Sequence, residues 1–143
     1  ACPESTFIRT LVTDLVLYKN ETLIMDMEAG IEHLGRATAR GVDVMVAVLE
    51  PGKRSVDCVN SVLRMAADIG IRRILLVGNK ITGPEDEAYL RSAFPDYGFI
   101  GMIPYSQSIR GADRDGVNVL DMIDEPVRAE FEKIYHAILE VKP

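Results

Sequence analysis

Four apolar runs constrain the fold of this chain more than any other feature: TLIMDM at 22–27, DVMVAVLE at 43–50, RILLVGN at 73–79 and FIGMIP at 99–104. None alternates strictly between apolar and polar residues, and Val and Ile are prominent. Strands of that pattern are covered on both faces, as in parallel sheets. Stretches with helical spacing lie around and between them. In PESTFIRTLVTDLVLYK the residues Phe7, Ile8, Leu11, Val12, Leu15 and Val16 form one broad stripe, and Pro3 suits a first turn. Ser55 to Ile69 predicts a helix capped by Ser55, with Asp57 near its positive end, Val59, Leu63 and Ala66 on one face and Gly70 as its stop. Pro84, followed by Glu85, Asp86 and Glu87 as a solvated start, opens a short helix reaching Phe94. Pro126 opens a last helix with Phe131, Ile134, Tyr135, Ile138 and Leu139 as its apolar face.

Strands alternating with helices through short connections predict an α/β fold: a parallel sheet with right-handed crossovers and helices on both faces. With 143 residues and no interdomain linker, residues 1–143 read as a single domain. Sheets of this kind hold ligands at the carboxyl ends of their strands. Four loops are therefore expected to share one edge: DMEAG at 26–30, EPGKRS at 50–55, GNKITG at 78–83 and PYSQSIRGADRDG at 104–116.

The formal net charge is −6, and the 16 Lys and Arg form no basic run, which argues against a nucleic-acid partner. No apolar run approaches the roughly 18 residues of a membrane span, and ACPESTF lacks the basic and apolar regions of a signal peptide. No membrane partner and a cytoplasmic location are expected. Cys2 and Cys58 lie far apart, so no disulfide framework is expected.

Asp26 ends an apolar run, where a carboxylate is costly to desolvate unless it meets a cation or donors. It is a candidate for holding a magnesium-bound water. Gly30 has no side chain to keep a backbone N–H away from a terminal phosphate. The same residues read equally well as a strand-end Asp capping the following helix, with Gly30 as turn chemistry. Asn79 and Lys80 follow a buried strand, where an amide can pair with the edge of a base and a Lys stem can lie along a ring, although a turn asparagine is commoner. Pro104, Tyr105 and Ser106 begin a loop, closed by Asp113 to Gly116, that is long enough to run its backbone around a purine. Cys2 precedes Pro3 at a helix N-terminus, where the dipole favours a thiolate suited to nickel or zinc. One thiol makes no site, so a second subunit or an absent neighbour has to complete it, and a stray N-terminal cysteine is more often inert. Cys58 reads as a packed small hydrophobe, and His33 and His136 as structural or surface residues. No G-x-x-x-x-G-K-[ST] occurs, so nothing in these residues cradles α- and β-phosphates.

Taken together, DMEAGIEHLGRATARGVD, VLEPGKRS, LLVGNK and IPYSQSIRGADRDG resemble the CooC-type ATPases that help insert nickel into carbon monoxide dehydrogenase, relatives of the septum-site protein MinD and of nitrogenase iron protein. The resemblance covers nearly the whole chain in order. D-x-x-A-G is shared across the wider class, whereas DMEAGIEHLGR with EPG and GNK points to the CooC branch. It implies Asp26 in magnesium coordination, Gly30 in sensing the γ-phosphate, and Asn79 with the loop from Pro104 in holding adenine, with ATP or ADP and Mg as cofactors. It also implies that Cys2 is the second cysteine of a C-x-C motif that binds metal between two subunits.

The resemblance further implies a homodimer, with the catalytic subunit of carbon monoxide dehydrogenase as partner. The family's N-terminal half, with its P-loop, has no counterpart here, so the expectation is a C-terminal portion unable to hydrolyse ATP alone. A noncatalytic partner-binding module is the alternative. In such ATPases the P-loop strand lies between the strand ending at Asp26 and the next one. Either the strands at 22–27 and 43–50 close up, or another polypeptide fills the gap.

Overall fold

The structure, a computed structural model, describes residues 21–26 and 42–141. Three strands, β1 (Met45–Leu49), β2 (Ile74–Ile81) and β3 (Phe99–Pro104), form a parallel sheet in the order β1-β2-β3. The helices are α1 (Lys53–Asp68), α2 (Pro84–Ala93), α3 (Gln107–Asp115), α4 (Val119–Met122) and α5 (Glu125–Leu139).

Successive strand residues point to opposite faces, and both faces are covered. On one, Ala47, Leu49 and Leu76 pack against Val59 and Leu63 of α1 and Leu90 of α2, with Phe94 beside them. On the other, Val77 and Ile103 meet Ile123 and the α5 residues Val127 and Ile134. Leu49, Leu76, Leu90, Val77 and Val127 are fully buried, each contributing about 1.5–3 kcal/mol by leaving water. The layered α/β expectation therefore holds, and the unalternating runs at 43–50, 73–79 and 99–104 are strands for the reason given, with one exception to the cover: Val48 of β1 is exposed.

Local chemistry sets the ends. Gly70 adopts φ 85°, Ile71 N–H donates to Ala66 O at 2.9 Å and Gly70 N–H to Ala67 O at 3.1 Å, closing α1 in the left-handed stop expected of glycine. At its start the expectation fails. The N-cap is Gly52 with no side-chain cap, while Ser55 Oγ instead accepts the Glu50 N–H at 3.0 Å. Asp86 is likewise no freely solvated helix-start acid, because it accepts both the N–H and the hydroxyl of Thr82.

Three larger expectations are corrected. Of the strand expected at 22–27, residues 22–26 are described and form none; Ile24 is 84% exposed and Leu23 and Asp26 are exposed. An apolar run becomes a strand only beside a partner ladder, and β1 has β2 as its one neighbour among the described residues. The argument from a buried carboxylate at Asp26 falls with it, and the strands at 22–27 and 43–50 do not close up. Second, most of the loop expected at 104–116 is α3: Ser106 Oγ accepts the Ile109 N–H, and Gly116, at φ 65°, ends the helix. Only Tyr105 and Ser106 are left as connection. Third, the buried face of α5 is Val127 and Ile134, with Phe131 and Ile138 packed beside them, whereas Tyr135 and Leu139 are exposed. The helix expected from Pro3 lies outside the described residues.

Candidate functional site

The carboxyl ends of the three strands meet as the topology requires. Leu49 is in register with Gly78 and Ile81 with Pro104, and Tyr105 N–H donates to Ile81 O at 2.9 Å. Glu50, Asn79, Lys80, Pro104, Tyr105 and Ser106 therefore share one edge, as expected for three of the four loops.

Asn79 is half-buried, and its Oδ1 accepts the Lys80 N–H at 2.9 Å. Its Nδ2 has no partner among the described residues, so the carboxamide keeps one donor group and one acceptor lone pair unspent. Lys80 has φ 57° and reaches across the edge, its Nζ lying 2.6 Å from Glu50 Oε1. The ring of Tyr105, whose own N–H is bonded to Ile81 O, is 43% exposed, and the Ser106 hydroxyl is engaged with Ile109 N–H and Ser108 Oγ, the latter at 2.7 Å. Three helices, α1, α2 and α3, begin at this edge; the first turn of α2 carries Glu85, Asp86 and Glu87, so it is the first N–H groups of α1 and α3, whose first turns carry no acid, that lie where an anion is favoured. The first turn of α1 carries Lys53 and no acid. Asp86, behind the turn, is held below the usual carboxylate range by the Thr82 hydroxyl and then by the Thr82 amide. The edge is thus a row of hydrogen-bonding groups around one exposed aromatic ring, suited to a planar, polar heterocycle and an attached anion.

Asp26 is exposed at the end of the short described segment, and Gly30 and Cys2 lie outside the described residues. No group of three or more His, Cys, Asp or Glu among the described residues could hold a metal ion. Cys58 is a free, half-buried thiol, consistent with the packing role expected for it, and His136 is on the exposed side of α5. An open groove of about 620 Å³, lined by Leu63, Ile71, Arg72 and Tyr97 among others, lies at the opposite, amino-terminal edge and touches none of these residues. No helix among the described residues is long and apolar enough to cross a membrane.

Reasoning from the sequence missed the role of Glu50 and took Ser55 for a helix cap, whereas its Oγ accepts the Glu50 N–H. The signal for Glu50 was its position, an acid directly at the end of a buried strand and one strand away from Lys80.

No family model matches the chain. Over 139 residues it is 36% identical to the carbon monoxide dehydrogenase accessory protein CooC of Rhodospirillum rubrum, which covers 97% of this chain and 52% of that protein. It is 33% identical over 143 residues to an uncharacterized ATP-binding protein of Methanocaldococcus jannaschii, covering 99% of this chain and 55% of the other. The chain thus spans about half the length of the curated relatives it matches. Its fold is similar to MinD cell division protein of Aquifex aeolicus, with a TM-score of 0.60 at 16% identity, over 74% of this chain and 48% of that one. The MinC:MinD complex of the same organism gives a TM-score of 0.61 at 16% identity, over 82% and 49%. In sequence the chain is similar to CooC, and in fold it has the α/β architecture it shares with MinD.

Proposed function

We propose that the chain carries the adenine-binding and phosphate-sensing part of an ATP-dependent metallochaperone that serves nickel insertion into carbon monoxide dehydrogenase. The observation that carries this reading is the convergence of the Asn79–Lys80 turn with Pro104, Tyr105 and Ser106, fastened by the Tyr105 N–H to Ile81 O bond of 2.9 Å. Asn79 Nδ2 donates to a ring nitrogen and Oδ1 accepts from the exocyclic amine of adenine, while the Lys80 stem and the Tyr105 ring flank the base. Asp26 orients a magnesium-bound water and Gly30 brings a backbone N–H to the γ-phosphate. When bound, ATP would supply the phosphoryl group and its Mg would neutralise charge on the phosphates, and the phosphates need a P-loop that these 143 residues do not contain. Cys2 contributes a thiolate to a nickel or zinc site between two subunits of a homodimer, and the catalytic subunit of carbon monoxide dehydrogenase is the partner, in the cytoplasm.

The similarity to CooC, a carbon monoxide dehydrogenase accessory protein, supports the assignment of partner, and the similarity to an ATP-binding protein supports the nucleotide. Titration of the chain with ADP, followed by turnover assays with and without an added polypeptide bearing the P-loop, tests the reading. Adenine-nucleotide binding with no turnover by the chain alone is expected; robust hydrolysis by the chain alone overturns it.

A noncatalytic partner-binding module is the second reading. The half-exposed Val48 of β1, 57% accessible on a strand whose described neighbour lies on one side alone, favours a docking role. Absence of nucleotide binding even with the P-loop polypeptide present, or metal binding unaffected by Cys2→Ser, selects it.

A further inference from the structure

Among the described residues Lys80 is the one non-glycine residue with a positive φ, 57°. This conformation brings Cβ against the following carbonyl oxygen and is disfavoured for any L-residue with a side chain. It coincides with a break in the sheet. Between the register pairs Gly78↔Met102 and Ile81↔Pro104, β2 advances three residues while β3 advances two. The extra residue is a bulge, a device that increases local twist, re-aims neighbouring side chains and collects beside functional sites.

Three contacts hold the bulge. Lys80 N–H donates to Asn79 Oδ1 at 2.9 Å. Lys80 Nζ meets Glu50 Oε1 at 2.6 Å. The N–H of Glu50 donates in turn to Ser55 Oγ at 3.0 Å, tying Glu50 to the start of α1. A continuous set of contacts thus runs from α1, through Glu50 and Lys80, to the carboxamide of Asn79.

We propose that Glu50 is a specificity-determining positioning residue: by holding Lys80 it keeps the left-handed bulge in place, and the bulge's N–H locks the Asn79 carboxamide in the orientation that fits adenine and rejects guanine. The inference rests on the base-binding reading of Asn79 given above. A free carboxamide can turn over and present a donor or an acceptor at the same spot. Here Oδ1 is committed to the Lys80 N–H, and turning over would set an NH2 against that N–H, donor against donor. The locked group offers its second Oδ1 lone pair and its Nδ2 donor side by side. That pair complements the exocyclic amine and the ring nitrogen N1 of adenine. On the same edge guanine presents O6, an acceptor, and N1–H, a donor, so the locked Oδ1 faces an oxygen and Nδ2 faces a donor. Release of the lock lets the amide turn over, donate to O6 and accept from N1–H. Loss of Glu50 therefore acts mainly by admitting guanine.

The ion pair itself is half exposed, 55% on the Lys80 side chain and 51% on that of Glu50. Pairs in that setting contribute little to stability. The effect is expected in base selectivity rather than in unfolding.

The test titrates the 143-residue chain and its variants with ADP and GDP. The ratio of the GDP to the ADP dissociation constant is expected to fall about three- to fivefold in Glu50→Gln. Glu50→Lys and Lys80→Glu are expected to lower it also, and the swapped double variant Glu50→Lys/Lys80→Glu to recover it, while all four keep the thermal midpoint of the wild type within a few degrees. A readout without ligand accompanies this: the side-chain amide resonances of Asn79, sharp in the wild type, broaden in Glu50→Gln.

An unchanged selectivity ratio in Glu50→Gln, in a chain that prefers ADP, overturns the inference and leaves the base-binding reading standing. A swapped variant that fails to recover the ratio overturns it also. A wild-type chain with no preference for ADP overturns both.

Discussion

Gly101 lies where β3 passes closest to α5. A Cβ built there would stand 2.6 Å from Ile134 Cδ1 and nearer still to Ile134 Cγ1, inside a buried contact. The helix seats itself on bare backbone, so Gly101→Ala is expected to destabilise the chain by about 1–3 kcal/mol, read as a lowered midpoint in urea. Substitution without loss would mean that α5 can slide outward at no cost. Thr82 and Asp86 make a different residue-scale prediction. Both Thr82 donors favour the charged carboxylate, so the Asp86 pKa is depressed in the folded chain. The sign follows: the stabilisation is present above the ordinary carboxylate value and is lost as pH falls through the depressed folded value. Following the Asp86 carboxyl by NMR during acid titration should give a midpoint below that of an unstructured aspartate, and Thr82→Val should move it back up. An Asp86 midpoint indifferent to Thr82→Val would refute the assignment.

At the level of elements, β3 is an edge strand among the described residues, and the chain shields it with a side chain from α5. Glu130 Oε2 accepts the Met102 N–H at 2.9 Å, and Lys133 Nζ lies 3.1 Å from Glu130 Oε1. Edges with free N–H groups invite pairing with other chains. Glu130→Ala is expected to cost about 1–3 kcal/mol, to speed exchange of the Met102 amide, and to increase aggregation on heating. Unaltered Met102 exchange would show that the carboxylate does not guard that group. This shielding was not legible in the sequence, because Glu130 and Met102 are 28 residues apart and neither belongs to a motif. What was legible was whatever depends on nearby residues: β3 from its apolar run, the end of α1 from Gly70, the start of α2 from Pro84. The short polar helix α3 was hidden because its apolar stripe is thin, with Ala112 its one buried residue, and its Gly, Asp and Ser content imitates a loop. The run at 22–27 misled for the opposite reason. Its composition suits a strand, but a strand requires a neighbour, and composition carries no record of one. In the candidate site Asn79 and Tyr105 were found from their strand-end positions, whereas the Glu50–Lys80 pair needed the parallel register to bring the ends of β1 and β2 side by side.

On the scale of the whole molecule, the sheet has a direction in which it can grow. Met45 N–H donates to Arg73 O at 3.0 Å, toward β2. Because backbone groups alternate sides along a strand, the Val46 and Val48 N–H groups point away from β2. MinD, which shares the fold, is about twice the length that this chain covers, and the CooC relative likewise. A strand supplied by a P-loop-bearing polypeptide would bond to those two amides and would lay an apolar neighbour beside the exposed Val48 side chain. Hydrogen exchange measured residue by residue separates this from other modes of association. Added P-loop polypeptide is expected to slow exchange at Val46 and Val48 by at least tenfold, the change that a newly made hydrogen bond worth about 1.4 kcal/mol produces. Exchange at Met45, Ala47 and Leu49, already turned toward β2, should stay as it was. Slowing confined to the helices, with Val46 and Val48 unaffected, would mean that a partner joins through a helical face and that β1 is not where the sheet is completed.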